Sequence, residues 1–137
     1  MIGRTNSCEK VEESFQYSTS EQFTGEYWVD GKPIYQVTCN LGALPNNSTK
    51  VVYPNASNVE HVLSLTGIAY TSTLTGNEYY CIPLPYIARG SGQEAYNIAL
   101  SSQITSAGVL SVTVGTGRDR TNFDYCYATV RYTKTTD

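Results

Sequence analysis

Short runs of β-branched and aromatic residues alternate along this chain with clusters of Gly, Pro, Asn and Ser. Such runs are typical of strands, because these side chains suit a half-buried pleated surface. The pattern predicts about eight strands, at residues 26–29, 33–41, 49–53, 61–73, 78–84, 96–102, 108–115 and 124–132. That number of strands in one short chain predicts an all-β fold, specifically an antiparallel β-sandwich with a jelly-roll-like arrangement.

The pair Asp30-Gly31 lies between the apolar runs EYWV and KPIYQVTCNL. An Asp-Gly pair in this setting is a strong hairpin signal, because the two-residue turns that suit twisted strands require positive φ at both central residues. The first two strands are therefore predicted to form an antiparallel hairpin around a two-residue turn.

Side chains in the last two predicted strands alternate between two faces. Leu110, Val112 and Val114 share one face, which predicts that this face is buried. In the last strand the second face is amphipathic and is expected to meet solvent or a neighbouring subunit. The predicted buried face of that strand carries Cys126, Ala128, Val130 and Tyr132, and its second face carries Tyr125, Tyr127, Thr129 and Arg131.

The length of 137 residues is that of one domain. We assign residues 17–137 to a single β-sandwich domain and residues 1–16 to a short leader or attachment segment. Nine basic and twelve acidic side chains give a net charge of −3, which argues against nucleic acid as a partner. No apolar run is long enough to cross a bilayer, so membrane insertion is not expected.

Four cysteines are widely spaced, and the chain has a single histidine, His61. This spacing does not suit a structural zinc site, so we predict neither a metal nor another cofactor. Synthesis in a cytoplasm, which we expect for this chain, favours buried free thiols over disulfide bridges. The cysteines are Cys8, Cys39, Cys81 and Cys126.

A series of short motifs runs in order through the chain, over about four-fifths of its length. They are Tyr17-Ser18-Thr19, Glu21-Gln22, Gly25, Trp28, Asp30-Gly31-Lys32-Pro33-Ile34-Tyr35, Leu44-Pro45-Asn46, Ile82-Pro83-Leu84-Pro85-Tyr86 and Tyr132-Thr133-Lys134-Thr135. In this order they resemble a small β domain at the C-terminal ends of tail-fibre and related structural proteins of tailed bacteriophages and prophages. The chain departs from that pattern at Phe23-Thr24 and over residues 89–106.

This resemblance implies a virion structural protein, made in the cytoplasm of a bacterial host and assembled as a homotrimer with other virion proteins. It implies a fibre-tip domain that binds a host-surface carbohydrate or protein without catalysis. The alternative is a head fibre, a capsid decoration protein or an assembly module that makes no direct contact with a receptor.

Loops at one end of the predicted sandwich are the expected ligand-binding region, since rigid sheets commonly present binding loops. Arg118 and Arg120 could form forked hydrogen bonds with an acidic or hydroxyl-rich sugar. A simpler interpretation is that Asp119 organises a turn while both arginines stay solvated. The candidate residues are Tyr79, Tyr80, Arg89, Glu94, Tyr96, Arg118 and Arg120.

No catalytic residues are predicted. His61 beside Glu60 is interpreted as a solvated residue in a turn rather than as a general base. A glycan-cleaving enzyme would need a pair of carboxylic acids, and no pair is singled out. Most of the available carboxylates lie in predicted turns and are expected to serve the turn itself; the set is Asp30, Glu60, Glu78, Glu94, Asp119 and Asp124.

Overall fold

A computed structural model describes residues 16–137, so the predicted leader lies almost wholly outside the described residues. The described part is nearly all β and holds no α-helix; one short 3-10 helix spans Glu94–Tyr96. The strands are β1 (Gln22–Tyr27), β2 (Pro33–Asn40), β3 (Thr49–Val52), β4 (Val59–Tyr70), β5 (Cys81–Leu84), β6 (Ile98–Ile104), β7 (Leu110–Thr116) and β8 (Tyr125–Lys134). The predicted eight-stranded, all-β fold is confirmed.

The strands form two antiparallel sheets. One sheet has five strands in the order β1-β2-β8-β4-β5, and the other has three strands in the order β3-β7-β6. Strand β8 lies at the centre of the larger sheet, between β2 and β4. Two antiparallel sheets with a shared core are compatible with the predicted sandwich.

Each predicted strand overlaps one observed strand, but two predicted starts differ from the observed ones by three residues or more. The first strand begins at Gln22 rather than at residue 26, and it ends at Tyr27 because Trp28 opens the turn. Strand β5 begins at Cys81 rather than at residue 78, since Thr75 and Glu78 are joined by their own turn hydrogen bonds.

The predicted hairpin around Asp30-Gly31 is confirmed, but the predicted two-residue turn is wrong. The Gly31 amide donates to the Trp28 carbonyl at 2.9 Å, and the Trp28 amide donates to the Lys32 carbonyl at 2.8 Å. Gly31 has a φ of 89°, whereas Asp30 is not left-handed and its Oδ1 accepts the Lys32 amide at 3.0 Å. The loop therefore has three residues, with glycine in the left-handed position.

A single hydrophobic core lies between the two sheets. Leu110, Val112 and Val114 of β7 are fully buried, as their alternation predicts. They belong to one cluster with Val37 of β2 and Val130 of β8. Because both sheets supply this cluster, packing of their inner faces holds them together.

Strand β8 follows its predicted alternation. Cys126, Ala128, Val130 and Tyr132 are all at most 1% exposed. The opposite face is partly exposed and lies on the outer side of the five-stranded sheet. The second, amphipathic face of this strand thus forms part of the protein surface.

Three cysteines lie in the described residues, and none of them forms a disulfide there. Cys39 and Cys126 are buried, which confirms the prediction of buried free thiols at these two positions. Cys81 is free but exposed, because it starts the edge strand β5. Cys8 lies outside the described residues.

Burial raises the pKa of the Cys39 and Cys126 thiols from 9.0 to about 11. Burial, followed by a hydrogen bond to Glu21, also raises the pKa of the Tyr132 phenol above its ordinary value of 10.0. The folded protein therefore keeps these protons at a pH where the unfolded chain releases them.

We expect the free energy of unfolding to fall in alkaline solution. The stabilisation from the two thiols is fully present below pH 9.0 and is lost as the pH rises to about 11. Each group lowers the stability by about 1.4 kcal/mol per pH unit inside its window. Urea titrations under reducing conditions at several pH values measure how the free energy of unfolding depends on pH. Cys126→Ala should remove the contribution of one thiol to this dependence. A stability that stays flat or rises over this range would contradict the prediction.

Candidate functional site

The outer face of the five-stranded sheet carries a concave surface with a volume of about 470 Å³. We call this surface the tyrosine groove. It is lined by Tyr17, Ser18, Thr19, Thr38, Thr66, Gly67, Ile68, Tyr70, Tyr125, Tyr127 and Thr129. A concave, largely apolar surface with a few polar groups is the usual form of a ligand site.

Strand register builds the floor of the tyrosine groove. Thr129 of β8 lies between Thr38 of β2 and Thr66 of β4. The hydroxyls of Thr38 and Thr129 are 3.0 Å apart. Two residues before Thr129 in β8, Tyr127 lies opposite Ile68 of β4. Since residues two apart share a face of a strand, the outward residues of three strands form rows. A row of three threonines therefore adjoins a row that holds the Tyr127 ring and Ile68.

Three tyrosines form a continuous stack at one end of the groove. The ring centroids of Tyr70 and Tyr125 are 4.4 Å apart, and those of Tyr125 and Tyr127 are 5.1 Å apart. A hydrogen bond between the Tyr70 and Tyr125 phenols raises the pKa of Tyr70 above its ordinary value of 10.0. Tyr70 therefore stays uncharged at neutral pH, and the stack offers aromatic surface held in place by mutual contact.

The segment before β1 forms one wall of the groove. The Ser18 carbonyl accepts the Thr38 amide at 2.9 Å, and Ser20 forms a bridge with Asn55. The Ser18 hydroxyl also accepts the Ser20 amide at 3.0 Å. These bonds fix Tyr17 and Thr19 beside the sheet, so the wall is formed by the fold itself.

A second concavity of about 270 Å³ adjoins the tyrosine groove and shares Thr19 and Thr38 with it. We call it the side cleft. Tyr53, which follows β3 of the smaller sheet, is 67% exposed at this position. The side cleft is lined by Thr19, Thr38, Cys39, Asn40, Val52, Tyr53, Pro54 and Asn55. The two concavities together extend from the outer face of one sheet to the edge of the other.

In the part of the chain that the structure describes, neither concavity is lined by a charged side chain. Arg131, two residues beyond Thr129 in β8, donates from Nε to Gln36 Oε1 at 2.8 Å. Its Nη1 lies 3.0 Å from Glu26 Oε1. The nearest cation along this strand is therefore paired, and the groove is electrically neutral.

The structure brings together three of the residues that the sequence suggested for ligand binding. The guanidinium carbon of Arg118 lies 4.2 Å from the ring centroid of Tyr96, and that of Arg120 lies 5.7 Å from the same ring. Tyr86 and Phe123, which the sequence did not single out, complete the cluster around Arg120 at 5.8 Å and 5.0 Å. This arginine–aromatic cluster holds the 117–124 loop against the 85–97 loop.

The expectation that both arginines stay solvated is wrong for Arg120. Its side chain is partly buried among three rings, and this burial lowers its pKa. Arg118 is exposed, as expected. Asp119 does organise the turn, because its Oδ1 accepts both the amide and the hydroxyl of Thr121. Arg120 is thus engaged in packing the loops through cation–π contacts.

The other suggested ligand residues are exposed in loops. Tyr79 is 62% exposed and Tyr80 is 43% exposed, both in the loop between β4 and β5. Alternation between the faces of a strand does not apply to this pair, because β5 begins after them. Arg89 lies in the loop after β5, and Glu94 begins the 3-10 helix that ends at Tyr96.

Several carboxylates serve the fold. Asp124 accepts the amide and the hydroxyl of Ser72 at 2.9 Å and 2.6 Å, which lowers its pKa. A hydrogen bond and ion pair with Lys32 lower the pKa of Glu60. His61 is exposed as expected, but it lies within β4 rather than in a turn. Asp124 and Glu60 are thus engaged by residues far away in the sequence rather than by turns of their own.

Residues 16–137 contain no group of three or more His, Cys, Asp and Glu side chains that could hold a metal ion. Over the same residues, no helix is long and apolar enough to cross a membrane. The lining of the tyrosine groove itself offers aromatic rings for stacking and hydroxyls for hydrogen bonding.

Sequence reasoning identified part of the groove and missed the rest. The outward placement of Tyr125 and Tyr127 was predicted from alternation in the last strand. Thr38, Thr66 and Tyr70 were missed, because their proximity depends on the strand order β2-β8-β4. A signal was available in part, since polar Ser64 and Thr66 alternate with apolar Leu63 and Leu65.

Comparisons of the chain with protein-family models, with curated proteins and with solved structures give no match. The likeness to phage fibre domains accordingly rests on the sequence motifs described above.

Proposed function

We propose that this protein is a virion structural protein of a tailed bacteriophage or prophage, and that its β domain binds a host-surface receptor at a fibre tip. The binding is non-catalytic and uses no cofactor. The tyrosine groove carries this proposal, because it is a preformed concave surface whose rings and hydroxyls are held by strand register. The resemblance of the ordered sequence motifs to phage fibre domains supports the phage context of the proposal.

A rigid sheet face suits repeated contact with a receptor outside the cell. The groove floor comes from three hydrogen-bonded strands, so its hydroxyls are positioned before a ligand arrives. Binding to such a surface loses little conformational entropy in the protein. Aromatic rings beside hydroxyls match the apolar faces and hydroxyl groups of a glycan, which is the receptor class that we propose.

Homotrimeric assembly is part of the proposal. Phe23, Tyr27, Trp28 and Val29 on the β1–β2 hairpin are 46%, 63%, 42% and 89% exposed. Neighbouring exposed apolar side chains often mark a contact surface between proteins. A sandwich with a jelly-roll-like strand arrangement is the architecture that we propose for each subunit. Light scattering that gives a monomer at micromolar concentration would contradict the trimer.

A second candidate function is a head fibre, capsid decoration protein or assembly module that makes no receptor contact. The exposed apolar hairpin favours this alternative, since it could equally contact another virion protein. The two functions differ in whether the isolated protein recognises cells.

Adsorption of the fluorescently labelled protein to a panel of bacterial cells tests the proposal. Receptor binding predicts saturable adsorption to at least one strain, which unlabelled protein displaces. Surface polysaccharide purified from that strain should also displace the protein. Absence of saturable adsorption across strains that propagate or carry the phage would contradict receptor binding and favour the assembly role.

A further inference from the structure

We infer that the tyrosine groove and the side cleft together bind an uncharged oligosaccharide of more than one sugar residue. This inference rests on the proposed receptor-binding function and specifies where the ligand lies and which chemical class it belongs to. Three properties of the surface lead to it: its neutrality, its mixture of rings with hydroxyls, and its length.

The neutrality of the surface selects against charged ligands. Among residues 16–137, none that lines either concavity is Asp, Glu, Lys, Arg or His. The flanking Arg131 is already bonded to Glu26 and Gln36. An acidic glycan would lose hydration of its carboxylates here and find no cation in exchange. The lining therefore favours neutral sugars over the acidic sugars that free arginines would favour.

The mixture of rings and hydroxyls matches a sugar better than a peptide. Backbone groups in the groove floor are already used in the ladders of β2, β8 and β4, so hydroxyls provide the remaining polar contacts. A pyranose offers hydroxyl donors and acceptors around an apolar ring face. A proline-rich peptide, which also docks on aromatic surfaces, offers carbonyl acceptors alone. The exposed Thr66 hydroxyl can both donate and accept, whereas the Thr38 and Thr129 hydroxyls already share one hydrogen bond and offer their remaining capacity.

The length of the surface indicates several sugar residues. The tyrosine groove has a volume of about 470 Å³ and the side cleft about 270 Å³, and Thr19 and Thr38 belong to both. Tyr125 lines the tyrosine groove and is 44% exposed, and Tyr53 lines the side cleft and is 67% exposed, so each concavity presents an exposed ring. A single sugar would contact one of these rings, whereas a chain can contact both. Affinity should therefore rise with chain length.

Calorimetric titration of the full chain tests the inference. The probes are neutral oligomers of glucose, galactose, mannose and rhamnose, from monosaccharide to hexasaccharide, together with oligogalacturonate as an acidic probe and a polyproline peptide. We expect at least one neutral series to bind with affinity that increases with length, and the acidic and peptide probes to bind more weakly. Preference for the acidic or the peptide probe, or binding of no neutral series, would overturn the inference.

Variants locate the site. Tyr127→Ala removes a ring from the groove, and Thr66→Arg fills the groove without removing a packed side chain. Each should weaken binding of the neutral oligomer about tenfold or more. Val51→Ala, on the smaller sheet and outside both concavities, is the matched surface control and should bind as the wild type does. Thermal melts establish that each variant is folded.

Arg118→Gln separates this inference from the proposed function. If Arg118→Gln loses binding while Tyr127→Ala and Thr66→Arg retain it, the tyrosine groove is not the binding site. The proposed receptor-binding function would then stand, with the site in the loops. If the protein adsorbs saturably to cells and no neutral polysaccharide displaces it, the ligand is not an uncharged oligosaccharide. The proposed receptor-binding function would still stand. Failure of the wild type to adsorb to any susceptible strain would overturn both.

Discussion

Tyr132→Ala is expected to lower the free energy of unfolding by about 3–5 kcal/mol, as large-to-small changes at buried aromatic positions do. Tyr132 is 0% exposed in β8, the central strand of the larger sheet. Its ring stacks on Tyr35 with a centroid distance of 6.2 Å, and its hydroxyl donates to Glu21 Oε2 at 2.6 Å. The change leaves a cavity and removes one partner of the Glu21 carboxylate. Equilibrium unfolding in urea measures the loss.

Tyr132→Phe is the matched control for this prediction. It keeps the ring and removes the hydroxyl, so the loss should be smaller, about 1–2 kcal/mol. Glu21 retains Lys134, whose Nζ lies 2.6 Å from Oε1, which limits the cost of the lost bond. Equal losses in the two variants, or a loss below about 1 kcal/mol in Tyr132→Ala, would show that Tyr132 does not pack as described.

Gly108→Ala is expected to cost about 2–4 kcal/mol, the sum of a left-handed backbone and a steric contact. Gly108 has a φ of +80°, and a Cβ there would lie 3.0 Å from Asn58 Cα and 3.3 Å from the Val59 nitrogen. The Gly108 carbonyl also accepts the Val59 amide at 3.1 Å. Any movement that relieves the contact would strain the attachment of the β6–β7 turn to the start of β4.

Gly92→Ala separates the two causes. Gly92 has a φ of +78°, almost the same as Gly108, and a Cβ there meets nothing within 4 Å. The free energy of unfolding of this variant should therefore fall only by the cost of placing alanine in a left-handed backbone conformation, about 1–2 kcal/mol. The difference between the two variants in urea unfolding measures the steric contact. Indistinguishable losses would contradict the close approach of Gly108 to Asn58.

Much of the fold was predictable because its signals are local. Alternation over residues 110–114 and in the last strand identified the buried faces correctly, since side chains on a strand have a period of two. The Asp30-Gly31 pair located the first hairpin. The turn type was wrong because a three-residue loop with one left-handed glycine satisfies the same pair.

The site was less predictable because it depends on distant parts of the chain. Thr38, Thr66 and Thr129 become neighbours through strand order, which no local pattern encodes. The role of Arg120 was hidden for a similar reason, since the rings around it come from two separate loops. A search of the sequence for exposed cations therefore selects Arg120, although the folded protein uses this side chain to pack two loops together.

Adsorption of labelled wild-type protein and of Tyr127→Ala to the same bacterial cells is the measurement that would most directly decide whether the tyrosine groove binds a host glycan. The proposal predicts saturable adsorption of the wild type, displacement by neutral surface polysaccharide, and loss of most of this adsorption in the folded variant. Equal adsorption of the two proteins, or no adsorption by either, would contradict it.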